Sequence, residues 1–383
     1  MKVTVAPDSL KESLTASEAA RAIARGLRKA SSQVEPVLVP MGDGGEGTTE
    51  AMVEATGGSY HKARVSDPLG RPITATWGVC GDGKTTIVEM AQASGLELLQ
   101  PNERNPMLTS TRGTGELIRA ALDFGAERII IGIGGSATVD GGTGMAEALG
   151  VRFFDARGGP VTNCCGGRLG RICDIDAEGL DPRVKDVEIV VASDVANPLT
   201  GPDGAARTYG PQKGATGEQT EELERALCAL AEAIRTKLGV EIADLPGAGA
   251  AGGLGAGLVA FLGARLRSGV ETVMEAVQLR EKMAGSELVV TAEGRIDWQS
   301  AFGKTVLGVA SAAREQGIPT VVLAGSLGPG HERIYAAGVA GVFPIVDGPM
   351  TLQDALERAD VLLEKAAESV MRLWLAAGGR PRG

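Results

Sequence analysis

Several carboxylates in this chain stand just beyond short apolar runs. Asp8 follows Lys2–Ala6, Asp43 follows Pro36–Val39, Asp194 follows Val187–Ala192, and Glu293 and Asp297 follow Glu287–Thr291. If these runs are parallel strands, their ends crowd one edge of a sheet and the acids converge there. Acids gathered in that way suit Mg²⁺ binding or general-base work. Each one alone fits a helix N-cap or a turn equally well. Cations are interleaved with them: Lys11, Arg71, Lys213, Arg295 and Lys304. Acid and base alternating at strand ends is the pattern expected of a site for phosphates plus a metal. Histidine adds little, because only His61 and His331 exist and neither lies in a nucleophile pattern. A G-x-S-x-G elbow is absent as well, which disfavours a hydrolase.

Three glycine patterns compete for a phosphate. Gly78–Thr85 fits G-x-x-x-x-G-K-[ST], but a working loop of that kind must open a helix. Here Thr86-Ile87-Val88 follows, which reads as strand, and Asp82-Gly83 is a hairpin signal, so a hairpin is expected. Gly132–Ala137 follows an Ile-rich run and precedes a helical one, and Gly247–Gly253 precedes an apolar helix. Gly134, Gly135 and Ser136 in the first, and Gly249, Gly252 and Gly253 in the second, could turn backbone N–H groups toward phosphate. Tight turns that need small residues explain both stretches equally well. A dinucleotide reading of the first has Asp155 at a suitable distance, but its second βαβ half is poorly matched.

The elements that must position these residues alternate. Thr15 and Glu18 form a capping box before a helix faced by Ala19, Ala20, Ile23, Ala24 and Leu27. Strands are expected at Lys2–Ala6 and Pro36–Val39, then at Glu287–Thr291, Thr320–Ala324 and Val342–Val346. Helices are expected at Gly303–Gln316 and His331–Ala337, and a long one opens at Thr351 with Asp354. The apolar stripe of that last helix, from Leu352 to Leu373, is expected to dock on its own sheet. Five strands in βα alternation predict an α/β fold with a flavodoxin-like, doubly wound parallel sheet. The middle reads as a second α/β domain inserted into it. The domains expected are 1–60 with 273–383, and 61–272. Within the insertion, Ile73–Val79 and Thr85–Glu89 form a hairpin.

The net charge of −10 repels nucleic-acid phosphates but leaves small anions open, since local fields matter more. The 5 Cys residues, an odd number in a long chain, argue against a disulfide framework and for a cytoplasmic location. Cys164, Cys165 and Cys173 lack the partners of a zinc site. The N-terminus enters a strand with no signal peptide before it, and no apolar run nears the roughly 20 residues that span a bilayer. A homo-oligomer stays open.

The segments Ala6–Leu14, Pro40–Thr48, Gly132–Gly142, Ser193–Leu199, Tyr209–Ala215, Gly247–Gly255 and Glu293–Asp297 together resemble, in order and across nearly the whole chain, the bacterial class I glycerate kinases. Gly42, Val139, Ala292 and Trp298 depart from that family's pattern, and Trp298 stands where it could narrow a pocket. The resemblance implies phosphorylation of D-glycerate by ATP, at the 2-hydroxyl, to 2-phosphoglycerate. On this reading Asp194 is the general base. Lys11 and Arg295 neutralise the substrate carboxylate or the phosphoryl group, and Asp8, Ser9, Arg71 and Asp297 hold the substrate. The two glycine loops carry the nucleotide, and Asp43 and Glu293 hold Mg²⁺. A kinase of another hydroxy or sugar acid, an NAD-dependent hydroxy-acid dehydrogenase and a non-catalytic sensor are the alternatives.

Overall fold

The computed structural model describes residues 1–297 and 305–378. Its strands, in chain order, are β1 (Lys2–Val5), β2 (Glu35–Leu38), β3 (Ser59–Ser66), β4 (Pro72–Val79), β5 (Thr85–Glu89), β6 (Arg128–Gly132) and β7 (Arg152–Phe154). They continue with β8 (Pro160–Val161), β9 (Asp174–Asp176), β10 (Glu188–Ala192), β11 (Arg265–Arg267), β12 (Leu288–Ile296), β13 (Thr320–Leu327) and β14 (Val339–Pro344). The chain divides into two compact units. One comprises Met1–Asp43, Glu50–Gly57 and Val270–Gly383, the other Gly44–Thr49 and Gly58–Gly269.

The first unit holds a five-stranded sheet in the order β2-β1-β12-β13-β14, with every neighbouring pair parallel. Numbered within the unit, that order is 2-1-3-4-5, the doubly wound flavodoxin-like arrangement expected. Thr15 caps the helix Ala16–Ala30: its hydroxyl accepts from the Glu18 amide, and the Glu18 carboxylate accepts from the Thr15 amide. The face predicted for that helix is buried. It packs with Val3, Val5, Leu288 and Val290 of the sheet and with Leu362, Leu363 and Met371 of the helix Ala359–Ala376. The expected C-terminal helix starts with its Thr351–Asp354 capping box but breaks at Arg358 into Leu352–Glu357 and Ala359–Ala376. Leu363 and Val370 of its stripe enter the core, while Leu352 and Leu373 are exposed. The last three strands differ from expectation in their limits. β12 and β13 run several residues longer, because each stays paired through Arg295↔Ser326 and Ile296↔Leu327, and β14 begins three residues earlier at Val339.

The second unit has a six-stranded mixed sheet, β11-β10-β6-β5-β4-β3. Pairs from β5 to β11 are parallel, and β3-β4-β5 is an antiparallel meander. The lysine-bearing glycine pattern falls at the β4–β5 turn, where the Asp82 carboxylate accepts from the Lys84 and Thr85 amides. It is a hairpin, as its strand-like sequel predicted. A separate three-stranded antiparallel sheet, β8-β7-β9, was not foreseen. Asp155 sits in its first turn, accepting from the Arg157 and Gly159 amides. That occupation removes the acid on which the dinucleotide reading relied. All five cysteines are free thiols. Among the described residues no helix is long and apolar enough to cross a membrane.

Gly26 shows how tightly the first unit is packed. Gly→Ala inside a helix ordinarily stabilises by about 1 kcal/mol. A Cβ on Gly26, however, would lie 2.1 Å from the carbonyl oxygen of Glu364 in the crossing helix. Backbone cannot yield there, so overpacking, at about 1–3 kcal/mol, wins. Gly26→Ala is expected to lower the thermal midpoint, and a rise in a calorimetric scan would show that the crossing can open.

Candidate active site

In the first unit, the acids stand at the carboxyl edge of the sheet. Backbone bonds clamp the segment after β1 to both neighbours: Ala6 N donates to Val290 O, Asp8 N to Ala292 O, and Met41 N to Pro7 O. The chain therefore delivers Asp8 and Asp43 to the same edge. The Asp8 carboxylate accepts from the Ser9 amide at 2.7 Å and from the Thr305 hydroxyl at 2.5 Å. Burial first, and then the negative charge of Asp43, push its pKa up to about 6, against the lowering effect of those hydrogen bonds. Thr305, wholly buried at the start of the helix Thr305–Glu315, was missed in the sequence. A lone threonine in a helical run carries no signal of what it will face.

Arg295 donates to Asp297 at 3.0 Å, and Gly328 backs both, since a Cβ there would lie 2.7 Å from the Cβ of Asp297. Glu293 lies within β12, opposite Ala324, rather than beyond the strand end as expected. Strand pairing outlasts the apolar run, so the place where hydrophobicity stops misjudges where the strand stops. Lys11 is exposed in the tight turn bridged by Leu10 and Leu14, near the backbone of Gly294. Trp298 and Lys304 lie outside the described residues.

In the second unit, the loop after β6 is built from close approaches. A Cβ on Gly132 would lie 2.5 Å from Gly44 O, and one on Gly134 would lie 2.9 Å from Gly45 Cα. Gly135 has φ +70°. Its carbonyl accepts from Leu96 N, and Ala137 N donates to Ser94 O, which pins both flanks of the turn. Among the described residues, the amides of Gly134, Gly135 and Ser136 have no protein acceptor. Behind them Lys213 donates to Ser136 Oγ at 2.5 Å and to Thr138 O at 2.7 Å. Further along, the buried Asp140 carboxylate accepts from the Thr111 amide and hydroxyl and from the Gly142 amide.

The other glycine stretch is packed against neighbouring backbone. A Cβ on Gly249 would lie 2.1 Å from Pro198 O, and one on Gly252 1.9 Å from Thr138 O. Ala251, Gly252 and Gly253 are successively left-handed, and Gly252 O accepts from Gly141 N. Packing against neighbouring backbone accounts for these glycines without a ligand. Asp194 is exposed, and its Oδ1 accepts from the Ser268 hydroxyl at 2.7 Å and the Gly269 amide at 3.0 Å. Arg71 lies in the β3–β4 turn of this unit. It bonds the buried Asp67 and also Glu103, closing the β3–β4 turn.

Comparison with known proteins identifies a family. The model of the glycerate kinase family matches residues 3–375. A glycerate kinase of Halalkalibacterium halodurans is 49% identical over 96% of this chain and 97% of its own length. A glycerate 2-kinase of Escherichia coli K12 is 49% identical over all of both chains. A crystal structure from Salmonella typhimurium LT2, of a protein provisionally named glycerate kinase 2, superposes with a TM-score of 0.91 at 46% identity. It covers 99% of this chain and 100% of its own.

The electrostatics of the acid edge can be checked directly. A carbon-13 NMR titration of the metal-free protein is expected to give Asp8 a midpoint near 6. Asp43→Asn removes a like charge and should move that midpoint down. An unmoved midpoint would mean that burial alone sets it.

Proposed function

The chain belongs to the glycerate kinase family, and from that premise we propose that it transfers the γ-phosphoryl of ATP to the 2-hydroxyl of D-glycerate, giving 2-phosphoglycerate and ADP. The observation that carries the reading at the level of residues is the acid edge of the first unit, with Asp8, whose proton affinity is raised, beside Asp43. Phosphoryl transfer asks for positioning, a proton acceptor and charge neutralisation, and no dedicated nucleophile.

In the proposed reaction the 2-oxygen forms a bond to the γ-phosphorus while the bond to the β,γ-bridging oxygen breaks. The hydroxyl proton passes to a carboxylate. Asp194, the base expected from its place after a strand, is exposed and already holds Ser268 and Gly269. Asp8, with its raised proton affinity, suits that role better, and Ser9 and Thr305 fix its orientation. Lys11 and Arg295 offset the substrate carboxylate and the transferring phosphoryl. Asp297 orients Arg295 through their shared hydrogen bond. In the second unit the unused amides of Gly134, Gly135 and Ser136 suit nucleotide phosphates. Arg71, taken up by Asp67 and Glu103, is left out of the substrate site.

Magnesium is implied by the family's chemistry. Among the described residues no three His, Cys, Asp or Glu side chains gather to hold a metal by themselves. Mg²⁺ asks for less, one or two carboxylates plus phosphate oxygens and water. Asp43, beside Asp8 at the acid edge, and Glu293 are the carboxylates that would hold it, and the ion would neutralise phosphate charge. The five free thiols suit work in a reducing cytoplasm.

Two measurements test the reading. Purified protein with ATP, Mg²⁺ and D-glycerate should give the phosphorus-31 signal of 2-phosphoglycerate. A 3-phosphoglycerate signal would overturn the regiochemistry, and absence of either product the activity. Asp8→Asn should lower kcat by about 10²–10⁴-fold, the usual worth of a general base, with nucleotide binding retained. That loss in Asp194→Asn, with Asp8→Asn near normal, would return the base role to Asp194.

A further inference from the structure

Lys213 is 2% exposed, which makes it one of the largest fully buried side chains in the protein. A buried ammonium is costly unless paired, yet among the described residues Lys213 forms no ion pair. Its place is set by the short turn Pro211–Lys213, in which Lys213 N donates to Gly210 O. Gly214 then turns away with φ +93°, packed on the backbone of Arg104. The side chain runs inward, and Nζ donates to the hydroxyl of Ser136 and the carbonyl of Thr138, on either side of Ala137. The charged and titratable groups around it are Asp140 ahead of the helix Thr143–Ala148, Tyr209 with its ring centroid 5.8 Å from Nζ, and Arg104 beside Gly214. Asp140 is already engaged by Thr111 and Gly142.

Two independent features of the loop thus lack an anion. One is a buried cation held only by a hydroxyl and a carbonyl. The other is the set of three amides, Gly134 to Ser136, without an acceptor. Both belong to the same turn, joined at Ser136. We propose that Lys213 is the positioning residue of the nucleotide phosphate site, fixing the 134–138 loop through Ser136 and Thr138 and lending it positive charge when phosphate oxygens lie on the Gly134, Gly135 and Ser136 amides. The inference rests on the reading of this chain as an ATP-dependent kinase.

A consequence follows for pH. Burial lowers the pKa of Lys213 to about 7, with Asp140 opposing it. A bound phosphate favours the charged form, so binding above pH 7 must take up a proton and weaken as pH rises. ADP loses its last proton near neutral pH and only gains negative charge as pH rises, so a loss of affinity in that range belongs to the protein.

The test is titration of the intact protein with fluorescent N-methylanthraniloyl-ADP. Wild type should lose about fivefold or more in affinity from pH 7 to 9, in the direction that linkage requires. Lys213→Met should weaken binding at pH 7 by about tenfold or more, the usual loss for removing a charged hydrogen-bonding group, and should abolish the pH slope. The KM for D-glycerate should stay within about twofold, since a point charge confined to the phosphate loop adds no binding common to both substrates. Ser136→Ala should weaken binding less and keep the slope. Wild-type affinity or an unchanged slope in Lys213→Met overturns the proposal. If that variant does not fold, by its thermal scan, wild-type affinity in Ser136→Ala overturns it instead. Wild-type protein that forms product in the phosphorus-31 assay but shows no pH slope removes the Lys213 role alone. Protein that forms no product and binds no nucleotide removes the kinase reading with it.

Discussion

Two carboxylates at neighbouring strand ends repel each other, and the site in the first unit is arranged around that repulsion. β1 and β2 are adjacent and parallel, so their carboxyl ends present Asp8 and Asp43 on one edge. Backbone bonds from Ala6, Asp8 and Met41 leave neither segment room to swing away. On Asp8 the Ser9 amide and the Thr305 hydroxyl relieve part of the conflict. What remains is a carboxylate with unusual proton affinity at a place where a cation or a substrate proton would be welcome. A carboxylate whose proton affinity is shifted by burial and a like-charged neighbour marks functional sites, because the fold alone gains nothing from the shift.

The same logic separates two aspartates that look alike in the sequence. Asp8 and Asp194 each follow a buried strand, and either could take the base role on position alone. Surroundings distinguish them. Asp194 is exposed and spends an oxygen on Ser268 and Gly269, as a residue that fixes a chain segment does. Asp8 is partly buried next to a like charge. Desolvation and neighbours, which no local pattern encodes, decide which carboxylate can hold a proton.

Much of the fold was legible because its signals are local. The Thr15–Glu18 and Thr351–Asp354 boxes, the β4–β5 hairpin and the five βα units of the first sheet all rest on neighbours in sequence. The three-stranded sheet escaped because its strands are two or three residues long and carry no periodicity to read. Glu293 was misplaced because β12 stays paired with β13 past its apolar run. Arg71 looked available because its partners, Asp67 and Glu103, are brought to it by a turn and a loop. The partners of Thr305 and Lys213 are hundreds and tens of residues away, and only the folded chain puts them side by side.

Glycine makes the hardest case, because one residue type serves opposite ends. Gly249 and Gly252 let backbone touch backbone, and the Gly249 amide already donates to Asn197 O. Gly134 is also packed from behind, by Gly45, but the amides of its turn remain without acceptors. The pinned flanks at Leu96 and Ala137 and the lysine behind Ser136 mean that this turn need not rearrange to meet an anion. Preorganisation of that sort is what makes a weak individual donor effective, since the ordering is done during folding and not at binding. A glycine-rich stretch is therefore a better candidate for a binding loop when its amides lack acceptors than when they are already bonded to neighbouring backbone.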